Sequence, residues 1–142
     1  FNRLFEPDIN LEKETLFAPF NLSHDTDYRL PLRYAGLLEG QVRANICCSG
    51  GFLQGAHVSK AILAGANAVQ VVTTLFRNGI GHIRTLVNDL QAWMSLKGYS
   101  ALQDCLGALS QQHVNAPWAY TRGQYIALLM NSSPVLAQRP IP

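Results

Sequence analysis

Two apolar runs in this chain end in residues suited to holding an anion. Asn45-Ile46-Cys47-Cys48 stops at Ser49-Gly50-Gly51, and Ala68-Val69-Gln70-Val71-Val72 stops at Thr73-Thr74. A phosphate needs several N–H donors converging on it and a backbone with no side chain in the way. Consecutive glycines permit a sharp turn and a close approach, and the N-terminus of a following helix aims unpaired N–H groups at the anion. Thr73 and Thr74 add backbone N–H and hydroxyl donors. Each half alone has a plainer reading, a bare turn for the glycines and a cap for the threonines. Their pairing on adjacent strands is what points to phosphate. Arg77 and Arg3 are within reach of such a site, against the plainer reading of both as solvated charges.

The elements that must position these residues follow from the pattern between them. Residues 54–64 read as a helix, with Val58, Ala61 and Ile62 inward and Gly65 as its left-handed stop. Strand, helix and strand in that order predict a parallel pair with a right-handed crossover. In (β/α)8 barrels a phosphate site is frequently built from the loops after strands 7 and 8 and a short extra helix, which Leu75-Phe76-Arg77 would supply. The predicted class is therefore α/β: the C-terminal portion of a (β/α)8 TIM barrel, from the end of strand 6 through helix 8, followed by C-terminal helices. A closed barrel takes about 250 residues, so at 142 residues a truncation that leaves out the first half is expected.

Residues 1–130 are assigned to the barrel part and 131–142, with two prolines in the last three positions, to a disordered tail. Residues 1–20 read as a strand tail and an irregular loop broken by Pro7 and Pro19. A helix is expected to start around Asp25 to Asp27, with Pro31 near its N-terminus, Leu32, Ala35, Leu37 and Leu38 as its apolar face, and Gly40 as its end. Ile80, Ile83, Leu86, Val87, Leu90 and Met94 repeat at helical spacing up to Gly98. Ser100 with Gln103 matches a capping box for a helix through residue 109, and Pro117 opens a last one to Met130.

Composition bounds the rest. A content of 48% hydrophobic and 14% charged residues belongs to a globular protein, and a net charge of +2 without a basic stripe argues against nucleic acid. The most apolar stretch is interrupted by Asn67 and Gln70, short of the roughly 18 continuous apolar residues of a membrane span. Cys47 and Cys48 are neighbours and Cys105 stands alone, so all three are expected to be reduced and mostly buried, as in a cytoplasmic protein. His24, His57, His82 and His113 lack the spacing of a zinc site, and read as surface or capping residues with no metal.

Together these blocks resemble a family. Asn2-Arg3-Leu4-Phe5-Glu6-Pro7-Asp8-Ile9, Leu30-Pro31-Leu32-Arg33, Ser49-Gly50-Gly51, Ala64-Gly65-Ala66, Val69 to Leu75 and Gly81-His82-Ile83-Arg84-Thr85-Leu86 are similar, in order and spacing, to the C-terminal part of the dihydroorotate dehydrogenase family, in particular its dihydroorotate dehydrogenase-like bacterial branch. The resemblance implies an FMN-dependent oxidoreductase that oxidises a CH–CH bond, as in the conversion of dihydroorotate to orotate in pyrimidine biosynthesis. It implies that Ser49, Gly50 and Gly51 after strand 7, and Val72, Thr73 and Thr74 after strand 8, hold the FMN phosphate through backbone N–H groups. Asn2 matches an asparagine that faces substrate over the flavin. The family's base and flavin-contacting lysine belong to the first half of the barrel, so no catalytic residue is assigned here. Its dihydroorotate-using members carry Asn-Thr where this chain has Asn2-Arg3, which leaves the substrate open.

The partners implied are a small-molecule substrate, the N-terminal half of the barrel and a second copy in a homodimer of the intact protein. Two other readings of the same residues stand beside this one: another phosphate-binding TIM-barrel enzyme, and a non-enzymatic half-barrel module.

Overall fold

The computed structural model describes residues 7–19 and 21–121. Between Pro7 and Pro19 the chain forms an antiparallel hairpin of β1 (Asp8–Asn10) and β2 (Thr15–Phe17), with Ile9 opposite Leu16. An irregular loop is expected there, but the prolines flank the strands, where a missing N–H breaks no ladder bond. The turn is tied by Asn10 Oδ1, which accepts the Lys13 N–H at 3.0 Å. Ile9, Leu11 and Leu16 remain exposed on it.

Helix α1 (Arg29–Leu38) begins later than expected. Asp27 Oδ2 accepts the His24 N–H at 2.7 Å while the Asp27 N–H bonds the His24 carbonyl at 3.1 Å, closing a turn. A short acidic side chain that bonds local backbone competes with helix in this way. Pro31 then lies in the first turn, where its missing N–H costs nothing. The helix gives way at Gly40, as predicted, but Leu38 is exposed, and the buried face narrows to Ala35 and Gly36 with Leu32 beside them.

The predicted βαβ unit is present as β3 (Cys47–Ser49), α2 (Gly55–Ala64) and β4 (Ala68–Gln70). The strands are parallel and pair Cys47 with Ala68, Cys48 with Val69 and Ser49 with Gln70. Asn67 sets this register from one end. Its side-chain oxygen accepts the Ile46 N–H at 2.8 Å, and its own N–H donates to the Ile46 carbonyl at 2.8 Å. Cys48 faces the helices with Tyr28, Ala35, Phe52, Ala61, Ala64 and Ala66, and the small residues let α1 and α2 lie close to the sheet. Cys47, Ser49, Ala68 and Gln70 occupy the other, uncovered face. Cys47 is thus exposed, whereas Cys48 and Cys105 are buried as expected.

β4 ends earlier than the apolar run suggests. Val72 is the residue before α3 (Thr73–Asn78), so Thr73 and Thr74 open a short helix rather than close a strand. α4 (His82–Lys97) follows and stops at a left-handed Gly98, as its periodicity predicts.

Beyond Gly98 the expected helix through residue 109 is a 3₁₀ turn, Leu102–Asp104. Asp104, not Gln103, supplies the cap: its Oδ2 accepts the N–H groups of Ser100 at 3.0 Å and Ala101 at 2.8 Å. The next residues send their N–H groups elsewhere, Gly107 to Ile62, Leu109 to Leu63 and Gln111 to Gly36. Backbone committed to these distant carbonyls cannot also close a helix. His113 clamps the same segment, its Nδ1 lying 2.9 Å from Ser110 Oγ and 3.0 Å from the Gly107 carbonyl. Pro117 opens a 3₁₀ turn, Pro117–Tyr120, and the helix expected onward to Met130, like the tail at 131–142, lies outside the described residues.

The β3–α2 connection depends on Gly50 and Gly51, at φ 95° and 78°. A Cβ on Gly51 would overlap Tyr28 N and come within 2.7 Å of Asp27 Cβ, whereas one on Gly50 would meet nothing within 4 Å. Both alanine variants incur the left-handed penalty of about 1–2 kcal/mol, but Gly51→Ala also forces apart two backbone segments. Urea unfolding is expected to show Gly51→Ala losing about 1–3 kcal/mol more than Gly50→Ala; equal losses would remove the packing role of Gly51.

Candidate functional site

A groove of about 1220 Å³ opens where β3 and β4 end. Ser49, Gly50, Gly51, Val72 and Thr73 all line it, so five of the residues predicted from the two strand exits share one cavity. Gln70 joins Ser49 on its floor, as their pairing in register requires. Gly50 presents its open side, where no atom lies within 4 Å of a Cβ position. The N–H groups of Gly51 and Thr73 make no hydrogen bond among the described residues. Gly51 itself is fixed beneath the Asp27–Tyr28 backbone, so its lack of a side chain serves the fold and Gly50 leaves the room.

The two threonines divide their work. Thr73 Oγ1 accepts the Ser23 N–H at 3.1 Å, holding residues 21–23 along the groove wall. Thr74 lies outside the groove: it is 1% exposed and donates its hydroxyl to the Leu53 carbonyl at 2.9 Å. This bond ties the start of α3 to the β3–α2 connection, and Thr74 positions the site rather than lining it. Asn78 closes the helix on it, with Nδ2 3.0 Å from the Thr74 carbonyl.

Arg77 is turned away from the groove. Its Nη2 donates to the Ser23 carbonyl at 3.3 Å, and it lines a second cavity of about 490 Å³ with Asp25, Gln54, His82 and Asp89. The cation on the groove wall is Arg29, which sequence reasoning missed. Its position directly before Leu30-Pro31-Leu32, in the first turn of a helix that feeds the site, was the available signal. Asp27 also lines the groove, with its carboxylate engaged by the His24 N–H. Asn2 and Arg3 lie outside the described residues.

Behind the glycine turn, Tyr28, His57 and Lys60 form one stack. The Tyr28 and His57 rings are 4.0 Å apart and nearly parallel, and Lys60 Nζ donates to Tyr28 Oη at 2.9 Å. That ammonium lowers the Tyr28 pKa, against the opposing effect of burial. His57 is buried and caps α2, accepting the Leu53 N–H on Nδ1 at 3.3 Å. Burial chiefly, and the Lys60 charge next, hold its pKa below the ordinary 6.5, with a backbone hydrogen bond at Gly51 and the Asp25 charge opposing. On β3, burial and the neighbouring Cys47 push the Cys48 thiol up to about 11, which makes it an unreactive core residue. Among the described residues no group of three His, Cys, Asp or Glu side chains is placed to hold a metal ion, and no helix is long and apolar enough to cross a membrane.

No protein-family model matches the chain. It is 43% identical over 61 residues to the probable dihydroorotate dehydrogenase A (fumarate) of Streptococcus pneumoniae, in both the R6 and the TIGR4 strain, a match covering 43% of this chain and 20% of the relative. It is 34% identical over 58 residues to the chloroplastic dihydropyrimidine dehydrogenase (NADP(+)) of Arabidopsis thaliana, covering 41% of the chain and 14% of that protein. The crystal structure of DHODH from Eimeria tenella in complex with ferulenol superposes with a TM-score of 0.56 at 25% identity, over 60% of this chain and 23% of that one. The ligand-free structure of the same enzyme gives 0.56 and 25% over 60% and 24%.

The proteins that this α/β chain is similar to are dehydrogenases. The chain is a partial, C-terminal match to the dihydroorotate dehydrogenase family, and the matched stretch spans about a fifth of the length of its first curated relatives.

The buried histidine makes stability acid-sensitive. In the unfolded chain His57 takes up a proton near pH 6.5, while the folded chain resists until the pH is lower. Stability is therefore expected to fall as pH drops through and below about 6.5. Comparing urea midpoints at about pH 7.5 and about pH 5.5, a His57→Gln variant, which keeps an acceptor at the capping position, should lose less than the parent. An equal loss in both would show that His57 does not titrate in this range.

Proposed function

We propose that this chain is the phosphate-holding part of an FMN-dependent oxidoreductase of the dihydroorotate dehydrogenase type, with β3 and β4 as strands 7 and 8 of a (β/α)8 barrel. One observation carries the reading: two adjacent parallel strands, level at Ser49 and Gln70, end in one groove and are followed by a six-residue helix. That combination is the phosphate device of the barrel class.

The residues present fit an FMN phosphate. Gly50 offers an unobstructed approach, the Gly51 and Thr73 N–H groups are available as donors, and Arg29 brings positive charge to the wall. Ser49, Gly50, Gly51, Val72 and Thr73 would hold the group, with Thr74 keeping the two connections in place through Leu53. FMN, when bound, supplies the acceptance of hydride from a substrate C–H bond. This chain's share is to bind the phosphate end, orient it and wall the groove against water with residues 21–23. Asn2 is assigned to the substrate, since an amide can donate and accept toward a pyrimidine-like ring. The base that removes the neighbouring proton is assigned to the N-terminal half of the barrel. The CH–CH oxidation of dihydroorotate is the reaction proposed for the whole protein.

The test is a titration of the chain with FMN, followed by quenching of flavin fluorescence, beside a sugar phosphate as competitor. FMN is expected to bind, and Gly50→Val to weaken it by about tenfold or more, equivalent to ~1.4 kcal/mol, because the new side chain points into the open groove. Binding of the sugar phosphate in preference to FMN would move the chain to another class of phosphate-binding barrel. No binding of either would favour a non-enzymatic role.

A further inference from the structure

The groove carries a charge that neither the strand exits nor the comparisons account for. Among the described residues lining it, Arg29 is the one Lys or Arg. It is exposed and forms no ion pair with a described carboxylate. Asp27, the acidic residue on the same wall, accepts the His24 N–H at 2.7 Å and thereby shapes the turn before α1. Arg77, the other arginine near the strand exits, is held by the Ser23 carbonyl and faces the second cavity.

Positive charge is concentrated further by Lys60. Its Nζ donates to Tyr28 Oη at 2.9 Å, and the neighbouring Arg29 charge joins it in lowering the Tyr28 pKa. Two cations thus flank one phenol. A guanidinium has five N–H donors in a fixed fork, so Arg29 on the groove wall is able to engage a tetrahedral or planar oxyanion.

We propose that Arg29 is the groove's anion-binding side chain and that its guanidinium takes the phosphate monoester of the ligand held at the strand exits, an assignment that rests on the flavin-phosphate reading above. Backbone N–H groups at Gly51 and Thr73 grip the phosphate by shape, and Arg29 adds the charge complement that distinguishes a phosphorylated ligand from its neutral parent.

FMN and riboflavin differ by the phosphate alone, so their relative affinities for the full chain read this directly. The parent is expected to prefer FMN by about tenfold or more, the scale of a charge-assisted hydrogen bond. Arg29→Gln is expected to lose most of that preference while riboflavin affinity stays unchanged. Arg29→Lys should keep part of it, since the charge remains and the fork does not. Lys97→Gln, at the exposed C-terminal end of α4, should keep all of it. If the parent binds neither flavin, or both equally, the flavin-phosphate reading itself fails and this assignment with it. If the parent prefers FMN and Arg29→Gln does so equally, that reading stands and the role of Arg29 is overturned. An Arg29→Gln variant that keeps the flavin preference but loses affinity for orotate would likewise overturn it, by assigning the guanidinium to a carboxylate.

Discussion

One amide side chain holds the two strand exits level. Asn67 accepts from Ile46 N–H and donates to the Ile46 carbonyl, both at 2.8 Å, immediately before the parallel pairing begins. Parallel strands could slide by a residue only at the expense of both bonds, and such a slip would turn every side chain of one strand to the opposite face. Cys48 would then leave the core and Ser49 the groove. Of the two polar residues that interrupt the most apolar stretch of the chain, Asn67 is therefore the one that fixes where the site lies.

Above that register, the site is assembled by hydrogen bonds that cross between connections. Thr74 joins α3 to Leu53, Thr73 joins α3 to Ser23, and Arg77 joins the same loop at the Ser23 carbonyl. Each bond is worth about 1 kcal/mol net, but leaving the buried Thr74 hydroxyl or the Leu53 carbonyl unpaired would be costlier. The threonines at the end of an apolar run thus look like ligand donors in sequence and act partly as struts in the fold. The glycines divide in the same way, with Gly51 yielding to a neighbouring turn and Gly50 facing open space.

The βαβ unit, its glycine exit and the long α4 were legible because each is written in local periodicity and local stop signals. Five of the residues proposed for the groove line it for the same reason. What escaped was decided at a distance. The hairpin at residues 8–17 is set by cross-strand pairing, Asp104 outcompetes Gln103 for the turn at Ser100, and Gly107, Leu109 and Gln111 send their N–H groups to carbonyls of α2 and α1. Arg29 escaped because its position before Leu30-Pro31-Leu32 marks a helix start and gains its meaning from the groove beside it.

The pairing of β3 with β4 also bears on the order of folding. Asn67 and Ile46 are 21 residues apart, and α2 lies entirely between them, so closing this contact costs little chain entropy. Such a unit belongs to the low-contact-order part of a chain and forms early. Among the described residues this parallel sheet has two strands, each with an outer edge that no third strand pairs. Its uncovered face presents Cys47, Ser49, Ala68 and Gln70, small or polar side chains that give a partly folded chain little reason to aggregate through that face.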